Sequence, residues 1–175
     1  MVRGSKRVAD KPWDVQVLAG LHRFINQFDQ QRRGYLQNVI AELRDDPCRT
    51  YKAADGHQEA RFYRLSGSLA RAICGGHMQD QWRLAFTLQP AESEEFQGTV
   101  LILYVDRYID RIDPWKDLHR LFGASSPSKH DKPPCCDGDL KPISKDALDR
   151  FERNVSQFLL DKHFRKYFRR GRPPW

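Results

Sequence analysis

Thr99-Val100-Leu101-Ile102-Leu103-Tyr104-Val105-Asp106, followed at once by Arg107-Tyr108-Ile109-Asp110-Arg111, is the stretch that decides how this chain is read. Its first seven residues are apolar almost throughout, so the strand should lie inside a sheet with both faces covered. The residues after it are charged and aromatic. A buried strand that delivers cations to one end of a sheet suggests a site for an anion. The chain has 30 Lys and Arg against 23 Asp and Glu, a formal net charge of +7. The expected anion is therefore a phosphate backbone, and the expected partners are nucleic acid, the ribosome or an acidic protein.

Working outward, two further β-rich segments precede this strand, Arg61–Ile73 and Gln81–Gln89. Trp82, Leu84, Phe86 and Leu88 alternate with Arg83, Ala85 and Thr87, as in a half-buried strand. Gly75-Gly76-His77-Met78-Gln79-Asp80 reads as the hairpin loop between them, with the glycines free to take positive φ. Upstream, Trp13–Leu18 alternates like a strand. Leu18, Leu21, Phe24, Ile25 and Phe28, then Tyr35, Leu36, Val39, Ile40 and Leu43, recur at helical spacing. They predict two helices packed as a hairpin on the sheet. Asp113-Pro114 opens a short helix, Trp115–Phe122. Residues 1–12 form a flexible basic arm, 13–123 the domain, 124–140 a Ser/Pro/Lys linker, and 141–175 a helical extension ending in a basic run. The fold class expected is α+β, a twisted and mainly antiparallel sheet with the helical hairpin on it and C-terminal helices added.

With 175 residues, 39% hydrophobic and 30% charged, the chain suits one soluble domain plus an extension. No run approaches the ~18–20 apolar residues of a membrane span. A cytoplasmic location is expected, with no membrane partner. Cys48, Cys74, Cys135 and Cys136 show no spacing of a disulfide framework, so reduced thiols are expected. Cys135-Cys136 with His130 and His163 lacks zinc-site spacing, so no metal and no cofactor are expected. Gly75-Gly76 lacks a following Gly-Lys-Ser/Thr, which argues against nucleotide hydrolysis.

The order of strand, helical hairpin and three-stranded antiparallel meander resembles the RelE/ParE superfamily of bacterial toxins from type II toxin–antitoxin pairs. Trp13-Asp14-Val15-Gln16-Val17-Leu18, the helical run ending Ala41-Glu42-Leu43-Arg44-Asp45-Asp46-Pro47, and Tyr63-Arg64-Leu65-Ser66-Gly67-Ser68-Leu69 are similar to its patterns. So are Trp82-Arg83-Leu84-Ala85-Phe86 and the strand from Gly98 to Val105. The likeness covers about residues 13–122, and the C-terminal extension exceeds the family's usual length. It implies a toxin held by a cognate antitoxin, acting as a metal-independent, ribosome-dependent mRNA endonuclease (a hydrolase that inhibits translation). The alternatives are a ParE-like DNA gyrase poison and a non-catalytic nucleic-acid- or protein-binding module on the same fold.

Cleavage next to a 2′-hydroxyl needs a base for that hydroxyl, cations for the phosphorane and an acid for the leaving 5′-oxygen. By the resemblance, Arg83 and Arg107 clamp the phosphate, Tyr108 orients a base or the nucleophile, and Arg61 and Arg64 hold the RNA backbone. Lys162, Arg165, Lys166, Arg169 and Arg170 of the tail add polyanion contacts. The chain departs from the family in having no histidine after the last strand until His119 and in having Ile112 where the family's tyrosine falls. Arginine stays protonated and serves poorly as a base. Asp106, Asp110 and His77 remain as proton acceptors, with nothing in the sequence to select among them. Each arginine also has a plain reading as an ion-paired surface residue, and Trp82 and Trp115 fall on apolar faces that place them in the core.

Overall fold

The fold was described from a computed structural model. It describes residues 11–65, 69, 71–108, 113–124, 134–136 and 141–169, with side chains in the last helix as far as His163. The proposed basic arm, apart from Lys11 and Pro12, lies outside these residues. So do Asp110, Arg111, Ile112, Arg170 and most of the proposed linker.

The chain is mixed α+β with a mainly antiparallel sheet. Strands β1 (Asp14–Val17), β4 (Tyr63–Arg64), β5 (Cys74–His77), β6 (Trp82–Gln89) and β7 (Thr99–Arg107) form one sheet in the order β1-β7-β6-β5-β4. Pairing is parallel between β1 and β7 and antiparallel elsewhere. The apolar run of β7 is interior as expected, buried except at Leu101 and Arg107. Strand β6 is covered on both faces, because Ala85 and Thr87 are buried as fully as Leu84 and Phe86. A register shift between Ala85 and Phe86, of the kind a β-bulge makes, interrupts the strict alternation read from its sequence. The polar stretch before β4 forms a separate hairpin, β2 (Thr50–Lys52) with β3 (Gln58–Ala60).

Three local readings are corrected. First, Gly75 and Gly76 belong to β5, opposite Ala85 and Leu84. The tight turn lies beyond them, with positive φ at Asp80 (52°) and Gln81 (63°), the sign pattern of a type I′ turn. Close approach is what requires these glycines. A Cβ on Gly75 would sit 2.8 Å from Trp115, and one on Gly76 2.5 Å from the buried ring of Phe62. Gly76→Ala should therefore destabilise the fold by about 1–3 kcal/mol through overpacking, measured as a lower urea midpoint. An unchanged midpoint would mean that the Phe62 ring has room to move.

Second, no N-terminal two-helix hairpin forms. After a 3-10 turn at Ala19–Leu21, α1 is only His22–Ile25, whereas α2 runs Gln30–Asp45. Asp29 caps α2 by accepting from the Arg32 amide at 2.8 Å, which fixes its start and leaves Asn26–Phe28 as a bend. Leu21, Phe24 and Phe28 are buried nonetheless. Phe24 and Phe28 meet each other and Trp82. Segment 19–25 packs along α4 (Lys145–Arg169), and the Gly20 amide donates to Glu152 of that helix at 2.8 Å. Helix α4 thus takes the place a partner helix would have filled. Its Phe151, Val155 and Leu159 are buried, and Phe122 stacks on Phe151 with centroids 4.2 Å apart.

Third, the cysteines are paired. Disulfides join Cys48 to Cys136 and Cys74 to Cys135, with Cα–Cα distances of 5.5 and 5.6 Å. They strap residues 134–136 to the end of α2 and to β5. Tyr63 and Pro134 form an antiparallel bridge, and the Cys135 amide donates to the Phe62 carbonyl at 3.1 Å. Adjacent cysteines rarely bond each other, but nothing prevents each from bonding a different element. The sulfurs are accordingly closed to a metal. Among the described residues no helix is long and apolar enough to cross a membrane.

Candidate functional site

A row of polar residues crosses one end of the sheet. His77 on β5 is directly opposite Arg83 on β6, and Arg83 is directly opposite Asp106 on β7. Directly opposed residues share a face with Cβ atoms about 5 Å apart. Exposure falls along the row: His77 is exposed, Arg83 half-buried and Asp106 fully buried. Arg83 donates from Nη1 to the Trp82 carbonyl at 3.1 Å.

Asp106 is the inner anchor. It accepts from the Tyr104 hydroxyl at 2.8 Å, the Arg107 amide at 2.8 Å and His163 Nε2 at 2.9 Å, and from the Lys162 ammonium. Lys162 also meets Asp117 of α3 (Pro114–Leu121) at 2.8 Å. Burial alone would raise the Asp106 pKa. The hydrogen bond from His163 and the charge of Lys162 outweigh it and hold the carboxyl below its ordinary value. Burial first, then the Asp106 charge, pushes the Tyr104 phenol well up, so it stays protonated and donates. His163 also stacks on Trp82, centroids 5.8 Å apart and planes within 9°. With its acceptors engaged and no exposed surface, Asp106 is a structural carboxylate and unsuited to take a proton from a substrate.

The expected catalytic trio is divided by this geometry. Arg107 is opposite Trp82, one position out of step with Arg83, so the two arginines leave the sheet toward opposite faces at the same end. Arg107 holds the β5–β6 turn, donating to the Asp80 carbonyl at 3.0 Å and pairing with its carboxylate at 2.8 Å. Tyr108 is exposed, and its amide donates to the Gln81 carbonyl at 3.1 Å. Arg61 pairs with Glu42 at 2.6 Å and lies over the Phe62 ring. Arg64 donates to the Cys135 carbonyl at 3.2 Å. Lys162, only 12% exposed along its side chain, locks α4 to Asp106. The backbone at Arg165, Lys166 and Arg169 is helical; their side chains, and all of Arg170, are outside the described residues.

At the His77 end of this row, on the β4–β5 edge, lies a cleft of about 540 Å³ lined by Tyr51, Glu59, Arg61, Tyr63, His77 and Pro134 among others. The Tyr63 ring meets His77 edge-on at 5.8 Å. Burial pushes the Tyr63 phenol up to about 12, although a hydrogen bond with Trp115 and then the charge of Arg83 pull the other way. Sequence reading missed this cleft, since Tyr51, Tyr63, His77 and Pro134 come from four separate segments. It also missed the Lys162–His163 pair as the partner of Asp106. The one available signal was a charged residue closing an otherwise apolar strand.

No family model, no curated protein and no solved structure matches this chain.

Proposed function

We propose that the chain is a metal-independent endoribonuclease domain of RelE/ParE-like design, working as the translation-inhibiting toxin of a toxin–antitoxin pair. The observation that carries this reading is the row His77–Arg83 beside an aromatic cleft, at the sheet end where β7 delivers Arg107. Arginine offers a planar, permanently charged fork suited to a phosphodiester and to the extra negative charge of its phosphorane. Arg83 holds the scissile phosphate; Arg107 and the basic turns of α4 attract the flanking backbone. An acidic antitoxin segment would cover the same surface, and the ribosome would supply the mRNA.

Arg83→Ala should abolish growth arrest on induced expression and lower RNA cleavage at least about 100-fold, read by mapping mRNA 5′-ends. Truncated mRNA at wild-type level in this variant would remove Arg83 from the site. Stalled gyrase complexes with intact mRNA would favour the gyrase-poison alternative.

The two disulfides favour a second reading. Such bonds persist in oxidising surroundings and are rare in a reducing cytosol. On this reading the same surface cleaves or only binds nucleic acid where no ribosome is present. The thiol state of the protein in cells separates the two.

A further inference from the structure

Among the described residues near this sheet end, Asp106, His119 and His77 differ in how they are placed to accept a proton. Asp106 is fully buried and accepts from four donors. His119 is buried in α3, with Nδ1 2.7 Å from the Trp115 carbonyl. His77 is exposed, in register with Arg83, and lines the cleft. A phosphodiester held by Arg83 would thus bring its neighbouring ribose against the His77 ring. Imidazole is the side chain whose ordinary pKa, about 6.5, lets it accept a proton at neutral pH and pass it on.

We propose that His77 is the proton acceptor of this RNA-cleaving site and that the adjoining cleft seats the nucleotide bearing the attacking 2′-hydroxyl. The inference rests on the endoribonuclease reading above. His77 takes the proton from O2′ as O2′ bonds to phosphorus. The P–O5′ bond breaks, and the 5′-oxygen takes a proton from water. The imidazolium then returns its proton to the hydroxide so formed. The products are a 2′,3′-cyclic phosphate and a 5′-hydroxyl, with no redox change and no metal. Among the described residues, Tyr63 on β4 meets the His77 ring, Arg83 on β6 is directly opposite it, and Glu59 and Arg61 line the same cleft. Tyr51, exposed at the cleft, offers a ring face to a base, a contact that tolerates any base identity.

The test uses the purified full chain and a single-stranded RNA oligonucleotide, alone and with translating ribosomes, comparing wild type, Arg83→Ala, His77→Gln and His77→Ala. His77→Gln should lose about 10²–10⁴-fold in cleavage rate, with RNA affinity and circular dichroism unchanged. The acidic limb of the rate–pH profile should vanish with it, and added imidazole should partly rescue His77→Ala. Cleavage by His77→Gln within a few-fold of wild type, while Arg83→Ala is inactive, would overturn the role of His77 and leave the nuclease reading intact. Parallel loss of affinity and cleavage would make His77 a binding residue and likewise overturn the proposal. A wild-type protein inert toward RNA in both settings would overturn both.

Discussion

Asp106→Asn should lower the free energy of unfolding by about 3 kcal/mol at neutral pH, the larger part of what removing one partner of a buried ion pair costs. The carboxylate has no exposed surface and receives Tyr104, the Arg107 amide, His163 and Lys162. An amide of the same shape turns an acceptor into a donor toward two of them and leaves a cation against it. The loss stays near the low end of the range because Lys162 keeps Asp117 at 2.8 Å. The pH dependence has a definite sign. The folded carboxyl titrates below its ordinary value of 3.8. Its contribution is therefore fully present above the unfolded pKa and is lost as pH falls through the lower, folded one. Urea unfolding from pH 7 down to pH 2 should show this component in wild type and not in Asp106→Asn. Lys162→Met combined with Asp106→Asn should recover part of the loss, as expected for contacting residues. A change below about 0.5 kcal/mol, the usual size for an exposed site, would mean that the cluster is solvated.

Opening both disulfides should cost about 7 kcal/mol in the chain-entropy account. Their separations in sequence are 88 and 61 residues, and loops of that length are each worth about 4 kcal/mol in the chain-entropy account. The two loops are nested, so the second closure restricts a chain the first has already shortened. Denaturant midpoints with and without dithiothreitol measure the sum. Cys48→Ser and Cys74→Ser, taken separately, assign it. The Cys74→Ser variant should also loosen residues 134–136 from β4, seen as loss of protection of the Cys135 amide in hydrogen exchange. Four titratable thiols in the native, oxidant-exposed protein would contradict the pairing.

These two predictions fall on features that local sequence does not encode. Strands β6 and β7 were legible because apolar alternation and an unbroken apolar run are local signals of a pleated, covered strand. The start of α3 at Asp113-Pro114 was legible from a proline placed in a helix's first turn. The place of Gly75 and Gly76 was not. Paired glycines usually mark turns, and only the distant rings of Trp115 and Phe62 explain their presence in a strand. Residues 18–28 carry helical spacing, yet their apolar side chains are covered by α4 and Trp82, which permits a single helical turn instead of a full helix. The pairing of Cys135 and Cys136 with two different elements depends on a chain path that spacing alone leaves open. At the candidate site, Arg83 was singled out by the resemblance, and its strand position was legible from the alternation of β6. Its neighbour His77 was one of three equal candidates until the β5–β6 register set it opposite Arg83.

RNA product chemistry tests the central claim most directly. Full-length protein should be incubated with RNA and translating ribosomes in Mg²⁺-containing buffer, and separately with RNA alone in EDTA, and both new ends of each cut should be identified. Wild type should yield 2′,3′-cyclic phosphate and 5′-hydroxyl ends, and Arg83→Ala, or RNA carrying a 2′-deoxy residue at the cut, should yield none. RNA left intact with ribosomes in Mg²⁺ and also without them, or cuts that carry 3′-hydroxyl and 5′-phosphate ends, would contradict this.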